Sequence, residues 1–395
     1  MLRLRQAAPA LLVAACLVAL SACGGTEYPN STFIRNTDLN TATDELWDLL
    51  LFWGTIVFVV VEAALIITII RFRKRPGGPA ARQIHGNAAL EIAWTAIPAV
   101  ILVLIAVPTV RTIFQTQAPA PAGSIRIEVI GHQWWWEFRY PDLGITTANE
   151  LYIPVGRTAS FELTSKDVLH AFWIPAMGGK RDLITNKKNY IWFTPDSSLG
   201  SNAYNGFCTE YCGSSHANMR IRLYAVQPDE FESWARHQAR PAVFPAAATD
   251  TAPAGYSFPI DRLPVHVAPQ TPIPAGLTYD DDLLAQGDAT RGATAFLAGQ
   301  CYTCHTVAGN PNAIGVIGPN LTHIGSRNTI ASGLFPNDAP HMARWIKNAR
   351  VMKPGVLMTT IGKGEYDPIL KRTATQGTLT DQQIADVVAY LMALK

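Results

Sequence analysis

Cys208-Thr209-Glu210-Tyr211-Cys212-Gly213-Ser214-Ser215-His216-Ala217-Asn218-Met219 places two thiols, an imidazole and a thioether within twelve residues. Soft sulfur donors with imidazole suit copper or zinc. A structural zinc site more often takes four Cys or His ligands, and Met is a poor zinc ligand. Thioether with thiolate favours a copper that cycles between two oxidation states. Two thiolates four residues apart on one loop can bridge two metal ions rather than serve one.

The chain around this loop is built of short strands. Ile125-Arg126-Ile127-Glu128-Val129 alternates apolar and polar side chains, as a half-buried strand should. Similar runs occupy 160–163, 190–193 and 219–225, separated by turn residues such as Pro141-Asp142, Gly156 and Pro195-Asp196. Many short strands without helical periodicity predict an antiparallel β-sandwich or barrel.

Upstream, 47–70 and 88–110 are almost continuously apolar and long enough to cross a bilayer. The loop between them carries Arg71, Arg73, Lys74, Arg75 and Arg82 without an acidic residue, which places it in the cytoplasm. Both outer ends of this hairpin, and everything after residue 115, are then extracytoplasmic. The N-terminus reads as an export signal: Arg3 and Arg5, an apolar stretch, then Leu20-Ser21-Ala22-Cys23, which is similar to a lipoprotein cleavage box with Cys23 lipidated.

Downstream, 239–278 holds eight prolines between Pro241 and Pro274 and is read as an extended tether that packs no core. Helical signals then return, ending in a capped helix after Thr380 with Ile384, Val387, Val388 and Leu391 on one face. Cys301-Tyr302-Thr303-Cys304-His305 is a c-type haem attachment motif. Its sixth ligand is expected some fifty residues on, among His341, Met342, Met352 and Met358. Of the remaining cysteines, Cys16 sits in the export signal and Cys23 directly follows it. A net charge of +2 over 395 residues gives no field that would gather nucleic acid, and no nucleophile–base pair or phosphate loop points to hydrolysis.

Cys-x-Glu-x-Cys-x-x-x-His-x-x-Met resembles the CuA loop of cytochrome c oxidase subunit II, with Asp167-Val168-Leu169-His170 resembling the earlier loop that supplies a second histidine. The resemblance implies that Cys208 and Cys212 bridge two coppers. It gives His170 and Met219 to one copper, and His216 with the Glu210 carbonyl to the other. The Glu210 carboxylate would hold magnesium or manganese at the contact with subunit I. Gly131-His132-Gln133-Trp134-Trp135-Trp136 is similar to the family's aromatic run, which implies that electrons enter at Trp134 on a cytochrome-docking face. Three consecutive tryptophans should leave at least one at the surface. Leu90-Glu91-Ile92-Ala93-Trp94-Thr95-Ala96-Ile97-Pro98 resembles the start of the family's second span, implying Glu91 at the mouth of a proton channel in subunit I. Glu62 lies deeper in the first span, with no role to assign.

Lys353-Pro354-Gly355-Val356-Leu357-Met358 resembles the distal-ligand segment of cytochromes fused to oxidases, which implies Met358, with Met352 its rival. Gly318-Pro319-Asn320-Leu321 matches a family loop in which the Pro319 carbonyl holds the other ring N–H of the proximal His305.

The plan is therefore a multidomain membrane protein. Its segments are a signal (1–22), an N-terminal segment (23–45), a transmembrane hairpin (46–114), a CuA cupredoxin-like domain (115–238), a linker (239–278) and an all-α class I cytochrome c domain (279–395). The resemblance implies a caa-type subunit II in a bacterial plasma membrane, with both redox domains outside. It would take electrons from cytochrome c through haem c and CuA to haem a of subunit I. Subunit I, which also carries haem a3-CuB, would reduce oxygen and pump protons, with subunit III, membrane lipid and no nucleic acid as further partners. Nitrous oxide reductase also has a CuA loop but needs a His-rich propeller, and nine histidines leave no room for one. The electron-intake subunit of a nitric oxide reductase and a tethered electron-transfer lipoprotein are the remaining alternatives. The hairpin and Glu91 speak against the lipoprotein.

Overall fold

The two apolar runs lie inside long helices, α1 (Asp38–Arg71) and α2 (Ala88–Thr116), in the computed structural model of the protein. The structure describes residues 16, 28, 30–73, 76–78, 83, 85–242, 244, 255–375 and 377–395. The expected cleavage box with Cys23 lies outside the described residues, as do Lys74, Arg75 and Arg82 of the basic loop. The chain divides into units 1–31 and 32–395, and all the named helices and strands belong to the second.

At 1.5 Å per residue, the 34 residues of α1 reach about 51 Å, well beyond a hydrocarbon layer of about 30 Å. Most apolar side chains of both helices are exposed, an arrangement that water penalises and lipid does not. The spare length of α1 lies at its N-terminus, where it leaves the membrane and grips the β domain. Thr37 caps the helix through the Asn40 N–H (3.0 Å) and donates to the Met177 carbonyl (2.7 Å). The Asn40 amide donates to Pro175 (3.3 Å), and the Asp38 carboxylate accepts from the Thr194 N–H (2.8 Å).

The β domain is made of ten strands: β1 (Ile125–His132), β2 (Trp135–Tyr140), β3 (Ile145–Ala148), β4 (Glu150–Pro154), β5 (Ala159–Ser165), β6 (His170–Trp173), β7 (Arg181–Leu183), β8 (Asn189–Phe193), β9 (Asn202–Cys208) and β10 (Arg220–Val226). They form two five-stranded sheets, ordered β3-β2-β1-β5-β8 and β4-β10-β9-β6-β7. Inward side chains from both sheets share one core, with Phe161 of the first meeting Phe172 of the second at 5.3 Å between rings. The expected sandwich is thus present, but two pairings, β1 with β5 and β4 with β10, are parallel. Alternation along one strand does not encode its neighbour's direction. Helix α3 (Pro228–Gln238) closes the barrel end, starting from a capping box of Gln227 and Glu230 and stacking Trp234 on Tyr152.

The expectation of a free tether over 239–278 is corrected where that stretch is described. Phe258 and Val267 are fully buried in the β-domain core, and Phe258 stacks on Tyr224 at 5.0 Å. The prolines hold the segment extended, and the apolar residues between them anchor it along the sheet.

The C-terminal domain is helical: α4 (Ala289–Ala298), α5 (Ala339–Lys347), α6 (Ala349–Met352) and α7 (Asp381–Ala393). The capping box predicted at Thr380 is present with Gln383, and Ile384, Val387, Val388 and Leu391 are buried. This domain sits directly on the β domain. The buried Glu150 carboxylate accepts from the Asn328 N–H (3.0 Å), the Thr329 N–H (2.8 Å) and the Thr329 hydroxyl (2.8 Å). Arg222, also buried, donates to the Gly333 carbonyl at 2.8 Å.

Candidate functional site

β9 ends at Cys208, and β10 begins one residue after Met219, so two adjacent strands hold both ends of the sulfur-rich loop. β6 lies beside β9 and delivers His170 to the same place. His170, Cys208 and Cys212 present donor atoms within 4.8 Å of one another. The two sulfurs are 3.7 Å apart, far beyond a disulfide bond of about 2.05 Å. Around them, His170 Nδ1 lies 3.7 Å from Cys208 Sγ, and the Glu210 carbonyl lies 3.3 Å from it. His216 Nδ1 and Met219 Sδ lie 3.5 Å and 3.9 Å from Cys212 Sγ. All six donors named from the sequence therefore converge on one sulfur pair.

The electrostatics suit a cation. The proton the two thiols share, together with His170, brings Cys208 far below the ordinary thiol range and drives Cys212 up. Burial alone would push His170 down, but Asp167 and Cys208 outweigh it and raise its pKa. The Asp167 carboxylate can only accept from His170 Nε2 (2.8 Å), which leaves the Nδ1 lone pair facing the sulfurs. Such a partner fixes a metal-binding ring. Glu210 is exposed.

The c-type motif opens onto a cavity of about 650 Å³ in the helical domain. Cys301, Cys304, His305, Pro319, Met342 and Met358 line it; Met352 is buried elsewhere in the core, and His341 bonds to Asp338 (2.7 Å). Both cysteines are free, and burial pushes the Cys301 thiol up to about 12. His305 Nδ1 donates to the Pro319 carbonyl at 2.7 Å, leaving Nε2 unprotonated toward the cavity, and burial keeps the ring neutral by lowering its pKa. A Cβ at Gly318 would fall 2.5 Å from the His305 ring, so only glycine lets this loop close over it. Free thiols, a neutral oriented imidazole and an apolar cavity facing a thioether fit a covalent haem.

Trp134 joins the two places. Its indole N–H donates to the Cys212 carbonyl (3.0 Å), the residue lines the haem-sized cavity, and its own carbonyl accepts from Ser332 (3.0 Å) and Lys353 (2.6 Å) of the helical domain. Of the three tryptophans Trp135 alone reaches the surface: Trp134 is only 7% exposed and Trp136 is fully buried. Trp135 is half-buried and stacks on His132 at 4.1 Å. The helical domain covers the face that sequence reasoning left open. Glu91 is not brought to this site. It sits in the first turn of α2, at the end remote from the β domain, accepting from the Asn87 N–H at 3.3 Å. Sequence reading gave no role to Glu150, Asp167 or Lys353. Asp167 stood in a quoted motif, whereas nothing local marks Glu150 or Lys353 as buried at an interface.

Comparison with known proteins agrees with this architecture. The family model for the cytochrome c oxidase subunit II transmembrane domain matches residues 36–112, the one for its periplasmic domain matches 144–226, and the one for cytochrome c matches 289–395. The chain is 31% identical over 346 residues to cytochrome c oxidase subunit 2 of Alkalihalophilus pseudofirmus, covering 86% of this chain and 83% of that one. It is 28% identical to the subunit 2 of Bacillus subtilis over 98% of this chain and 97% of that one. The crystal structure of the periplasmic domain of subunit II of cytochrome oxidase from Bradyrhizobium japonicum is 32% identical, covering 30% of this chain and 96% of its own, with a TM-score of 0.29. A cytochrome c domain implies haem c, and a subunit II domain implies CuA copper. The two apolar helices fit a two-pass membrane protein with a periplasmic β domain. The chain belongs to the cytochrome c oxidase subunit II family, in a form that carries its own C-terminal cytochrome c domain.

Proposed function

We propose that this subunit relays electrons from cytochrome c, through its own haem c and a dinuclear copper centre, to haem a of subunit I. Subunit I would carry out oxygen reduction and proton pumping. The observation that carries the reading is the shared wall: Trp134 lines the haem-sized cavity and bonds to the backbone of Cys212. When bound, the two groups supply one-electron redox chemistry.

The chain's own residues do the rest. Cys208 and Cys212 would hold the copper pair between them. His170 Nδ1 and Met219 would serve one copper, and His216 Nδ1 with the Glu210 carbonyl would serve the other. Asp167 holds the His170 proton on the far nitrogen, and Pro319 does the same for His305. Cys301 and Cys304 hold the haem covalently. His305 and Met358, which line the same cavity, would hold the haem iron, and a thioether ligand would raise the potential toward that of an electron acceptor. The exposed Glu210 carboxylate is available for magnesium or manganese at the subunit I contact. Glu91, exposed at the end of α2 remote from the β domain, serves the mouth of subunit I's proton channel. Cys23 follows Leu20-Ser21-Ala22 and would take a lipid. Subunit III completes the assembly.

Optical and paramagnetic resonance spectra of the full chain, made with copper- and haem-loading machinery, test this reading. A mixed-valence dinuclear copper signal together with a low-spin His/Met haem c is expected. Haem c without the copper signal would reduce the molecule to a membrane-tethered cytochrome.

A further inference from the structure

Lys353 stands five residues before Met358 and is 2% exposed, yet among the described residues no carboxylate lies within ion-pair distance of it. Its ammonium donates instead to the Trp134 carbonyl at 2.6 Å and to the Ser332 hydroxyl at 2.9 Å. Ser332 donates to the same carbonyl at 3.0 Å, so three groups from both domains close a triangle. Beside it the two ligand-bearing loops touch. Gly355 has φ +93, and a Cβ there would lie 2.9 Å from Ser214 of the copper loop.

We infer that Lys353 is a positioning residue for electron transfer between the two centres: its ammonium ties the Trp134 carbonyl to the Met358 segment and completes a bonded path from the haem pocket to Cys212. The path runs along the backbone from Met358 to Lys353, across the 2.6 Å hydrogen bond into Trp134, and from the indole N–H to the Cys212 carbonyl at 3.0 Å. One electron is given up on the haem side and gained on the copper side. No bond forms or breaks, and Lys353 keeps its protons. This inference rests on the relay proposed above and names the contact through which it runs.

Packing alone does not explain a lysine here. Methionine or leucine would fill similar volume without stripping water from a charge. Burial pushes Lys353 down to about 7, against the attraction of Cys212, so the site bears a cost that an apolar residue avoids. What the lysine supplies is a donor for a carbonyl on the copper domain and a positive charge beside the copper loop.

The test uses the full chain carrying both groups, at a pH below 7 where Lys353 is the ammonium, with the haem reduced by a photo-released electron and the absorbance of both centres followed. Lys353→Met should slow haem-to-copper transfer, because the path loses its hydrogen-bonded link between the Met358 segment and Trp134. It should also lower the copper potential, because a nearby cation favours the reduced centre. Lys353→Arg should restore most of both. Amide exchange at 329–334 in the same loaded chain reports docking separately and should stay protected in Lys353→Met, since Glu150 and Arg222 still hold the interface. Unchanged transfer and potential in Lys353→Met overturn the inference. So does a slowing that tracks lost protection and is not reversed by arginine, which makes Lys353 mere packing. A chain without substitution that passes no electron from haem to copper sinks the relay reading, and the inference with it.

Discussion

Removing the Glu150 side chain should loosen the helical domain from the β domain, and the structure fixes the scale. One buried oxygen of Glu150 receives the Asn328 N–H, the Thr329 N–H and the Thr329 hydroxyl, at 3.0, 2.8 and 2.8 Å. Glu150→Ala leaves the backbone N–H groups of the successive residues Asn328 and Thr329 without their acceptor in a closed seam. At about 1–3 kcal/mol for each unpaired donor, the upper bound is about 6 kcal/mol. A seam that admits water lowers the cost to about 2 kcal/mol, still roughly thirtyfold in local opening. Glu150→Gln is the control. All three bonds go to Oε1, an atom that glutamine retains, and burial has raised the Glu150 pKa, which marks the charge itself as disfavoured there. The amide is therefore expected to match wild type or exceed it near neutral pH. Hydrogen exchange at Asn328 and Thr329 reads both variants directly. Wild-type protection in Glu150→Ala, or equal loss in alanine and glutamine variants, would refute the reasoning that acceptor geometry holds the seam.

Four further outcomes are expected. Gly292→Ala would place a Cβ 1.9 Å from the Asp386 carbonyl and 2.8 Å from Tyr390 Cβ, prising α4 from α7. Overpacking of this kind costs about 1–3 kcal/mol or more, read as a melting temperature of the helical domain lowered by several degrees. Met358→Ala should turn a low-spin haem high-spin; should the spectrum survive and Met342→Ala change it, the distal ligand comes from α5. Asp167→Asn should weaken copper binding by about 10- to 100-fold in a chelator competition, by freeing the His170 ring to turn. Asp367 is paired with Arg350 at 2.7 Å. Burial would raise its pKa, but the Leu370 and Ile369 N–H groups outweigh it, so the folded pKa lies below the unfolded one. Its stabilisation is full above the unfolded value of about 4 and is lost as pH falls through the lower folded value. Melting curves should therefore shift downward on acidification below about pH 4, and less so in Asp367→Asn.

The ligand loop was legible because its donors are local, with four of them inside twelve residues, and chemistry constrains their types. Strand positions such as 125–129 and 160–163 were legible from alternation, and the last helix from Thr380 and Gln383. The parallel pairing of β1 with β5 was not, because a strand's alternation is the same whichever way its neighbour runs. Composition misled over 239–278: proline density hid Phe258 and Val267, two anchors whose burial depends on a sheet far upstream in sequence. Trp134, Lys353 and Glu150 were misjudged or passed over for one reason. Each is buried by another domain, and docking is a property of two surfaces that no single segment spells out.

The packed segment 255–278 changes what kind of event the internal electron step is. Two proteins that meet by diffusion depend on dilution and on steering by charge, which salt screens beyond about 10 Å at 0.1 M. In the proposed relay the donor domain would be laid against its acceptor by its own covalent strap and a sealed seam, so the step would have no encounter and no partner concentration. Ionic strength should then act only where an outside donor first meets the haem edge, leaving the passage to copper as a first-order constant of the molecule.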